Sequence, residues 1–332
     1  MSRRTQRGRW WAWGVQVALL AALAALLWWF AGNAVEALRA RGIQAGFDFL
    51  AQPAGFEIGE GPLETDATQP LWRAFLAGLL NTLRVALPAI VLTTVLGVLL
   101  GIGRLAPHRL LSSLCGAYVE AVRNVPLLVQ LLMAYFLVTH FLPSADEAWQ
   151  VGQGLFLSKS GLSFPWPMWA QEGSGLWPVW EWPEKSTFNV SGGAAVTPEY
   201  LAVCWALVTY TAAFVAEAVR AGIQAVPIGQ RQAALSLGLR PLQALRWVVF
   251  PQALRIMVPS LTNQYLNLLK NSTLAVVVGY PDLVSVSNTV LNQTGRAFEC
   301  IAILMAVYLS LSLVTSALMN VYNARVALRG VR

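Results

Sequence analysis

The sequence predicts an all-α fold, a polytopic membrane protein with about six transmembrane helices. Three observations lead to this fold class. The 332 residues are 56% hydrophobic and only 12% charged, whereas soluble domains average about 25% charged residues. The mean hydropathy is +0.55. Several runs without any charged residue reach about 20 residues, the length that crosses a bilayer as a helix.

The first two predicted spans lie in the N-terminal third of the chain. Four arginines in residues 1–9 precede the uncharged run Trp10–Ala31, which carries Trp at both ends as membrane-interface anchors do. The run is long and lacks a clear cleavage site, so it favours a retained helix over a signal peptide. Residues 32–72 are acidic and rich in Gly and Pro, and a second span follows at Phe75–Gly103.

Four more spans are predicted, at Leu114–Leu142, Tyr200–Ala221, Ile256–Pro281 and Cys300–Ala324. Pro126 predicts a kink in the first of these. Residues 143–198 contain six Trp and no uncharged run of spanning length, so we expect a periplasmic insert that covers the membrane surface as an amphipathic cap.

The predicted domain organisation follows from these spans. Residues 1–70 form an N-terminal transmembrane helix and a periplasmic segment. Residues 71–325 form the main transmembrane domain, with the insert at 143–198 and a cytoplasmic loop at 226–251.

The charge distribution predicts the orientation of the chain in the membrane. Fourteen of the 23 Lys and Arg residues lie in the N-terminus, the 104–113 turn, the 220–255 region and the tail, and fourteen of the 16 acids lie in the opposite loops. Lys and Arg accumulate on the cytoplasmic side. Both termini are therefore expected in the cytoplasm, and the net charge of +7 is explained without nucleic acid.

No catalytic chemistry is predicted in this chain. The sequence lacks the P-loop pattern GxxxxGK[ST] as well as HExxH and GxSxG, and it has only two His. Cys115, Cys204 and Cys300 lie in or beside apolar helices, which suggests neither a disulfide framework nor a zinc site. We therefore expect no catalytic residue, no metal site and no cofactor in this polypeptide.

The stretch Gly229–Pro251, here called the 229–251 loop, is polar enough to leave the membrane. Gly238 suits the position after a helix end, and Pro241 can begin the next helix, so the stretch predicts two short helices around a break. Apolar residues lie before and after this break: Ala233, Ala234, Leu237, Leu242, Leu245, Trp247, Val249 and Phe250. A pre-shaped, half-apolar cytoplasmic loop predicts docking of a soluble partner.

The fifth span carries a polar stripe. At about 100° per residue, six polar residues share one side of the helix: Ser260, Asn263, Gln264, Asn267, Lys270 and Asn271. A lysine at mid-membrane costs about 2.5–3.5 kcal/mol, so Lys270 is expected to face a partner or a wet cavity. The stripe favours a polar wall of a substrate path; interhelical hydrogen bonding is the alternative.

The string Glu-Ala-Val-Arg occurs twice near predicted cytoplasmic helix ends. Glu120 with Arg123, and Glu217 with Arg220, have the i, i+3 spacing of a helix-surface ion pair. We expect two local ion pairs; a cytoplasmic gate built from them is the alternative.

The 229–251 loop resembles the signature loop of ABC-importer permeases, which runs Glu-Ala-Ala, three residues, Gly, nine residues, Ile-x-Leu-Pro. Seven residues occupy the motif positions in register: Gln232, Ala233, Ala234, Gly238, Val248, Phe250 and Pro251. Gln232 replaces Glu and so removes a charge, and Val and Phe replace Ile and Leu. The resemblance implies the type I importer fold, with this loop as the ATPase-docking segment.

The rest of the chain is similar to the polar-amino-acid branch of these permeases, notably at 78–86, 123–131, 216–234 and 251–275. Strings at 47–58, 291–299 and 322–328 resemble the Q-type subunit of general L-amino-acid importers. That resemblance implies a location in a bacterial inner membrane. It also implies a heterodimer with a second permease subunit, two cytoplasmic ATPase subunits that use ATP and Mg²⁺, a periplasmic amino-acid-binding protein and an L-amino-acid substrate. General permeases usually have a further pair of spans where this chain has the Trp-rich insert.

Two rival functions stay open at this point. An ion-coupled secondary transporter would usually show an inverted repeat with paired broken helices, and the chain shows no repeat beyond the Glu-Ala-Val-Arg strings. A structural subunit of a larger membrane complex would use the polar stripe for packing.

Overall fold

The computed structural model describes residues 3–40, 46–168, 179–186 and 189–328. The helices of these residues are, in order, α1 Arg3–Ala40, α2 Leu71–Gly103, α3 Arg109–Asn124, α4 Leu127–Phe136, α5 Pro198–Gln224, α6 Ile228–Ser236, α7 Pro241–Ala244, α8 Phe250–Asn271, α9 Leu283–Thr294 and α10 Ala297–Leu328. Wide π turns at Leu137–Phe141 and Leu245–Val249 follow α4 and α7, and a 3₁₀ segment at Ser272–Val278 follows α8. The mostly helical architecture confirms the predicted fold class.

Four of the described helices are long and apolar enough to cross a membrane, and two bent helix pairs raise this number to six if each pair is one span. The four helices contain Trp13–Phe30, Leu71–Gly103, Pro198–Gln224 and Ala297–Arg325. The bent pairs join α3 to α4 and α8 to α9. This range includes the predicted number of about six.

The span predicted at Leu114–Leu142 is broken rather than kinked. The α3 and α4 directions differ by 103°, because Pro126 lacks an N–H and holds Val125 in an extended conformation with φ −104° and ψ 130°. The Gln130 side chain donates to the carbonyls of Val122 and Val125 at 2.8 and 2.9 Å. These bonds satisfy acceptors that the break leaves without helical partners.

Close contact between α2 and α5 forms the centre of the bundle. A Cβ added to Gly97 would lie 2.4 Å from a Val215 methyl carbon, and one added to Gly101 would lie 2.7 Å from the carbonyl oxygen of Ala216. Gly97 and Gly101 are four residues apart, the small-residue spacing that lets membrane helices approach closely. A larger side chain at either glycine would separate the two helices.

The segment 46–70 packs against the bundle instead of lying apart from it. Buried Phe49 and Ile58 share a core with residues of α2, α9 and α10. Asn81 of α2 donates to the carbonyls of Glu60 and Pro281, both at 3.0 Å. The division into 1–70 and 71–325 stays a prediction, but the 46–70 side chains belong to the same core as α2.

Glu60 links this segment to two helices. Its carboxylate lies 3.7 Å from the Arg84 guanidinium of α2 and accepts a 2.8 Å hydrogen bond from Thr197, the residue before α5. Burial raises the pKa of the Glu60 carboxyl above its ordinary value, and Thr197 and Arg84 oppose this rise. The three residues fix the start of α5 relative to α2.

The insert forms β-strands, which the sequence analysis did not predict. Its strands are β1 Trp149–Gln150, β2 Phe156–Ser158, β3 Gly161–Phe164, β4 Trp166–Met168, β5 Val179–Glu181, β6 Glu184–Lys185, β7 Val190–Ser191 and β8 Ala194–Val196. The order β1-β2-β3-β8 makes one antiparallel sheet, with Leu157 opposite Leu162 and Leu162 opposite Val196. The other strands pair as β4-β5 and β6-β7. Within the described residues the all-α class therefore holds for the bundle and not for the insert.

Candidate functional site

Helix α6 ends at a break that the sequence predicts correctly. The N–H of Gly238 donates to the carbonyl of Leu235 at 3.0 Å, and the N–H of Leu239 donates to that of Ala234 at 3.2 Å. This pair of bonds is a Schellman motif, which occupies the last carbonyls of a helix. Gly238 has a φ of +85°, a conformation that glycine adopts without a Cβ clash. The break is therefore a defined turn.

The second half of the 229–251 loop continues into the bundle as one helical path. Pro241 begins α7, as predicted, and the Arg240 N–H donates to the Gln243 side-chain oxygen at 2.8 Å. From α7 the chain runs through the π turn Leu245–Val249 directly into α8. Displacement of the loop would consequently be transmitted to α8.

The outer surface of this loop exposes large apolar side chains. Leu237 at the break is 84% exposed and Leu242 of α7 is 73% exposed. Trp247 is also exposed, as is Ile228 directly before the loop, which the sequence analysis did not single out. Such a patch typically marks an interaction surface.

The motif residues of the loop differ in exposure. Gln232, Ala233 and Pro251 are exposed. Ala234 is only 4% exposed, so this predicted docking residue faces the loop interior, where α6 packs against α7 and the π turn. A small residue at Ala234 lets these elements pack closely, while Gln232 and Ala233 lie on the exposed side of α6.

Helix α8 has two faces of opposite character. Its buried side contains Met257, Val258, Leu261, Tyr265, Leu268 and Leu269. The predicted polar stripe lies on the other side: Asn263, Asn267 and Lys270 are exposed, and Gln264 and Asn271 are half-buried. Ser260, the sixth residue of the stripe, is exposed as well, so the centre of this face is left uncovered by the described part of the chain.

The stripe makes no polar contact within the described residues. The side chains of Asn263, Asn267 and Lys270 have no hydrogen bond or ion pair there. The alternative in which these amides bond neighbouring helices of this chain therefore has no support. Since amides and an ammonium group are unfavourable in hydrocarbon, this face needs a partner subunit or water against it.

The two Glu-Ala-Val-Arg strings behave differently. Glu217 and Arg220 form the predicted ion pair, with the Arg220 Nε donating to Glu217 at 3.1 Å. Glu120 and Arg123 do not pair, and the prediction there is wrong: both are exposed, and the Arg123 guanidinium lies over the Phe214 ring, 5.1 Å from its centroid. The position of Phe214 on α5 gives Arg123 a different contact.

Arg104 is a site residue that the sequence analysis missed. Its guanidinium lies 2.5 Å from the Glu217 carboxylate, so Glu217 bridges the ends of α2 and α5. The two residues are 113 positions apart, too far for any helical spacing rule. Gly97 and Gly101 could have indicated that α2 packs closely against another helix. Arg104 directly follows the end of α2, so such packing brings it close to that second helix.

The part of the chain that matches known proteins includes both the 229–251 loop and the polar stripe of α8. Residues 93–328 match the family described as "Binding-protein-dependent transport system inner membrane component". The general L-amino acid transport system permease protein AapQ of Rhizobium johnstonii is 39% identical over 365 positions, which cover 94% of this chain and 91% of AapQ. The glutamate/glutamine/aspartate/asparagine transport system permease protein BztB of Rhodobacter capsulatus is 33% identical over 95% of this chain and 93% of BztB.

Solved structures agree with this relationship. A chain from the crystal structure of an amino acid ABC transporter with histidines has a TM-score of 0.55 and 27% identity over 76% of this chain and 94% of that chain. A chain of the inward-facing MetNI methionine ABC transporter has a TM-score of 0.54 at 17% identity, which supports the fold alone. With a family match over most of its length and relatives that align almost end to end, the chain belongs to the family of binding-protein-dependent transport system inner membrane components.

Proposed function

We propose that this chain is a transmembrane permease subunit of an ATP-driven importer of L-amino acids. The observation that carries the proposal is the position of the 229–251 loop. It combines a fixed turn, an exposed apolar surface and a continuous helical path into α8, whose uncovered face is polar. The amino-acid substrate class is inferred from relatives that transport amino acids and from the amino acid ABC transporter structure.

The proposed mechanism is alternating access. Two ATPase subunits bind ATP and Mg²⁺ in the cytoplasm and close on each other, which moves the 229–251 loops of two permease subunits. Each loop moves its α8, so the path between the two polar stripes opens to the other side. In this scheme the chain has no ATPase site of its own.

Three further partners complete the proposed importer. A second permease subunit covers the uncovered face of α8 in a heterodimer. A periplasmic amino-acid-binding protein delivers the substrate on the side of the insert. Both termini and the 229–251 loop lie on the cytoplasmic side, in agreement with the arginines at positions 231, 240 and 246.

The decisive experiment is reconstitution of the chain with its candidate partners in liposomes. Uptake of an amino acid should require internal ATP and the ATPase subunits. A Leu237→Asp or Trp247→Asp variant should reduce ATPase co-purification and uptake at least tenfold, because each places a charge on the exposed apolar surface of the loop. Val151→Asp, at an exposed apolar residue of the insert, is the matched control and should retain ATPase co-purification.

Two results would refute the proposal. Uptake driven by an ion gradient without ATP would identify a secondary transporter. Full ATP-driven uptake in both loop variants would show that the 229–251 loop does not connect the ATPase to the permease.

A further inference from the structure

A large apolar cavity lies beside the 229–251 loop, at the end of the bundle where α2 and α5 stop. Its volume is about 830 Å³, within the range of ligand pockets. The walls include Leu99, Leu100, Leu105, Ile223, Val226 and Leu245. Among its described lining residues, only Gln224 and Arg231 are polar. A cavity of this composition is suited to hydrocarbon.

The depth of the cavity in the membrane follows from the length of α2. The helix has 33 residues and is therefore about 50 Å long, while the hydrocarbon core of a bilayer is about 30 Å thick. The cavity touches the last two turns of α2 and the turn that follows. It consequently lies where acyl chains meet headgroups.

The cavity is continuous with the outer surface of the bundle. Leu99 lines it and is 63% exposed on a spanning helix, and Leu111 of α3 lines it and is also exposed. Lipid against these leucines has direct access to the cavity. Apolar surface is most stable when it is removed from water, so an acyl chain from the bilayer is a favourable occupant.

The charges around the cavity favour an anion at its mouth. Arg231 lies on the lining and is exposed, and no Asp or Glu occurs in residues 96–119 or 218–281. The acid nearest to Arg231 in sequence, Glu217, is already paired with Arg104 and Arg220. Basic pockets at the cytoplasmic ends of membrane helices bind anionic headgroups in this way.

We propose that this cavity is a binding site for an anionic phospholipid. One acyl chain fills the space between the helix ends and the 229–251 loop, and the headgroup phosphate contacts Arg231. The bound chain would support the loop against the ends of α2 and α5. The binding site itself is independent of the proposed transport function, because it depends only on the position of the cavity in the bilayer.

The test is photo-crosslinking of the full chain in nanodiscs of phosphatidylcholine. The probe is phosphatidylglycerol with a diazirine in its acyl chain, and labelled peptides are identified by mass spectrometry. Residues 96–111 and the lining residues Leu245 and Val249 should carry at least fivefold more label than the exposed face of α10 at 305–318. Equal labelling of the cavity and α10 would overturn the proposal.

Larger side chains on the cavity wall test whether the acyl chain occupies this space. Leu100→Trp and Leu105→Trp should each lower labelling of the cavity residues at least fivefold. Two variants are used so that the test can still be read if one of them does not fold. Leu92→Trp, at an exposed α2 residue outside the cavity, should leave labelling unchanged. Unchanged labelling in both cavity variants would refute the acyl-chain site.

The headgroup contact has its own measurement. The wild-type chain should prefer phosphatidylglycerol over the same probe built on phosphatidylcholine by about fivefold, the effect of one basic residue near an anionic surface. Arg231→Ala should abolish this preference, and millimolar inorganic phosphate should not compete with the lipid. Equal labelling by the two lipids in the wild type, or displacement by free phosphate, would refute the anionic lipid site.

Discussion

At the scale of single residues, the conformation of Gly238 controls the 229–251 loop. A positive φ costs a residue with a Cβ about 1–2 kcal/mol. No heavy atom lies within 4 Å of the position that a Cβ would occupy there, so the backbone alone disfavours substitution. Gly229, in the first turn of α6, also has open space around it but no positive φ.

This contrast gives a first prediction with an internal control. Gly238→Ala should destabilise the end of α6 by about 1 kcal/mol and reduce ATPase co-purification, whereas Gly229→Ala should do neither. Hydrogen exchange of the amides of Leu237, Gly238 and Leu239 measures the first effect. Equal exchange in both variants would show that the turn does not depend on glycine.

A second residue-scale prediction compares the two Glu-Ala-Val-Arg strings. Glu217→Gln should lower the free energy of unfolding by about 1–2 kcal/mol, because it leaves the half-buried Arg104 and Arg220 without their charged partner. Glu120→Gln should change it by less than about 0.5 kcal/mol, as is usual for exposed surface substitutions. Unfolding of the detergent-purified chain in denaturant measures both, and equal losses would contradict the ion-pair assignment.

At the scale of elements, α8 connects the loop to the polar stripe. Its buried side holds it in the core through Met257, Leu261 and Tyr265, and the Tyr265 hydroxyl forms a 2.8 Å hydrogen bond with Thr94 of α2. The opposite side makes no polar contact within the described chain. The helix is thus fixed on one side and available to a partner or a path on the other.

The corresponding prediction concerns Asn267. Asn267→Leu should leave membrane insertion and unfolding unchanged, since the exposed amide has no partner within the described residues, but should reduce amino-acid uptake by about tenfold or more. The control is Ser310→Leu on α10, where an exposed hydroxyl bonds only to its own helix at 2.7 Å.

Uptake assays and pull-down of the second permease distinguish two roles of Asn267. Loss of uptake with an intact heterodimer supports the path, and loss of the heterodimer supports a packing role. Normal uptake in Asn267→Leu would remove this residue from the path.

At the scale of the whole molecule, the segment 46–70 joins the helices more tightly than its composition suggests. Phe49 is 1% exposed, and its core includes residues of three helices. By contrast, the part of α1 that is long and apolar enough to cross a membrane, Trp13–Phe30, has no buried residue among those that the structure describes. The stability of the bundle should therefore depend on the 46–70 segment and not on α1.

Cleavage and mutation test this difference. Cutting the purified chain at a protease site introduced within 41–45 should leave the free energy of unfolding of the bundle unchanged. Phe49→Ala should lower it by about 3–5 kcal/mol, the usual cost of removing a buried Phe. A large loss on cleavage, or no loss in Phe49→Ala, would contradict this division of roles.

The sequence alone determined the features that depend on near neighbours. The span-length helices follow from runs of apolar residues, the break at Gly238 and the start of α7 at Pro241 follow from glycine and proline backbone preferences, and the stripe on α8 follows from helical periodicity. The ion pair of Glu217 with Arg220 follows from i, i+3 spacing. Each of these is local along the chain, so the residue types predict it.

Only the tertiary structure decided the features that join distant parts of the chain. The strands of the insert, the Arg104 contact with Glu217 and the cavity beside the 229–251 loop depend on which parts of the chain pack together, and the proline that predicted a kink at Pro126 did not give the 103° size of the break. Spacing rules failed at Glu120 and Arg123 because Phe214, on another helix, provides a competing contact. The physical reason is that pairing and packing energies arise between residues far apart in sequence, where local preference carries no information about the partner.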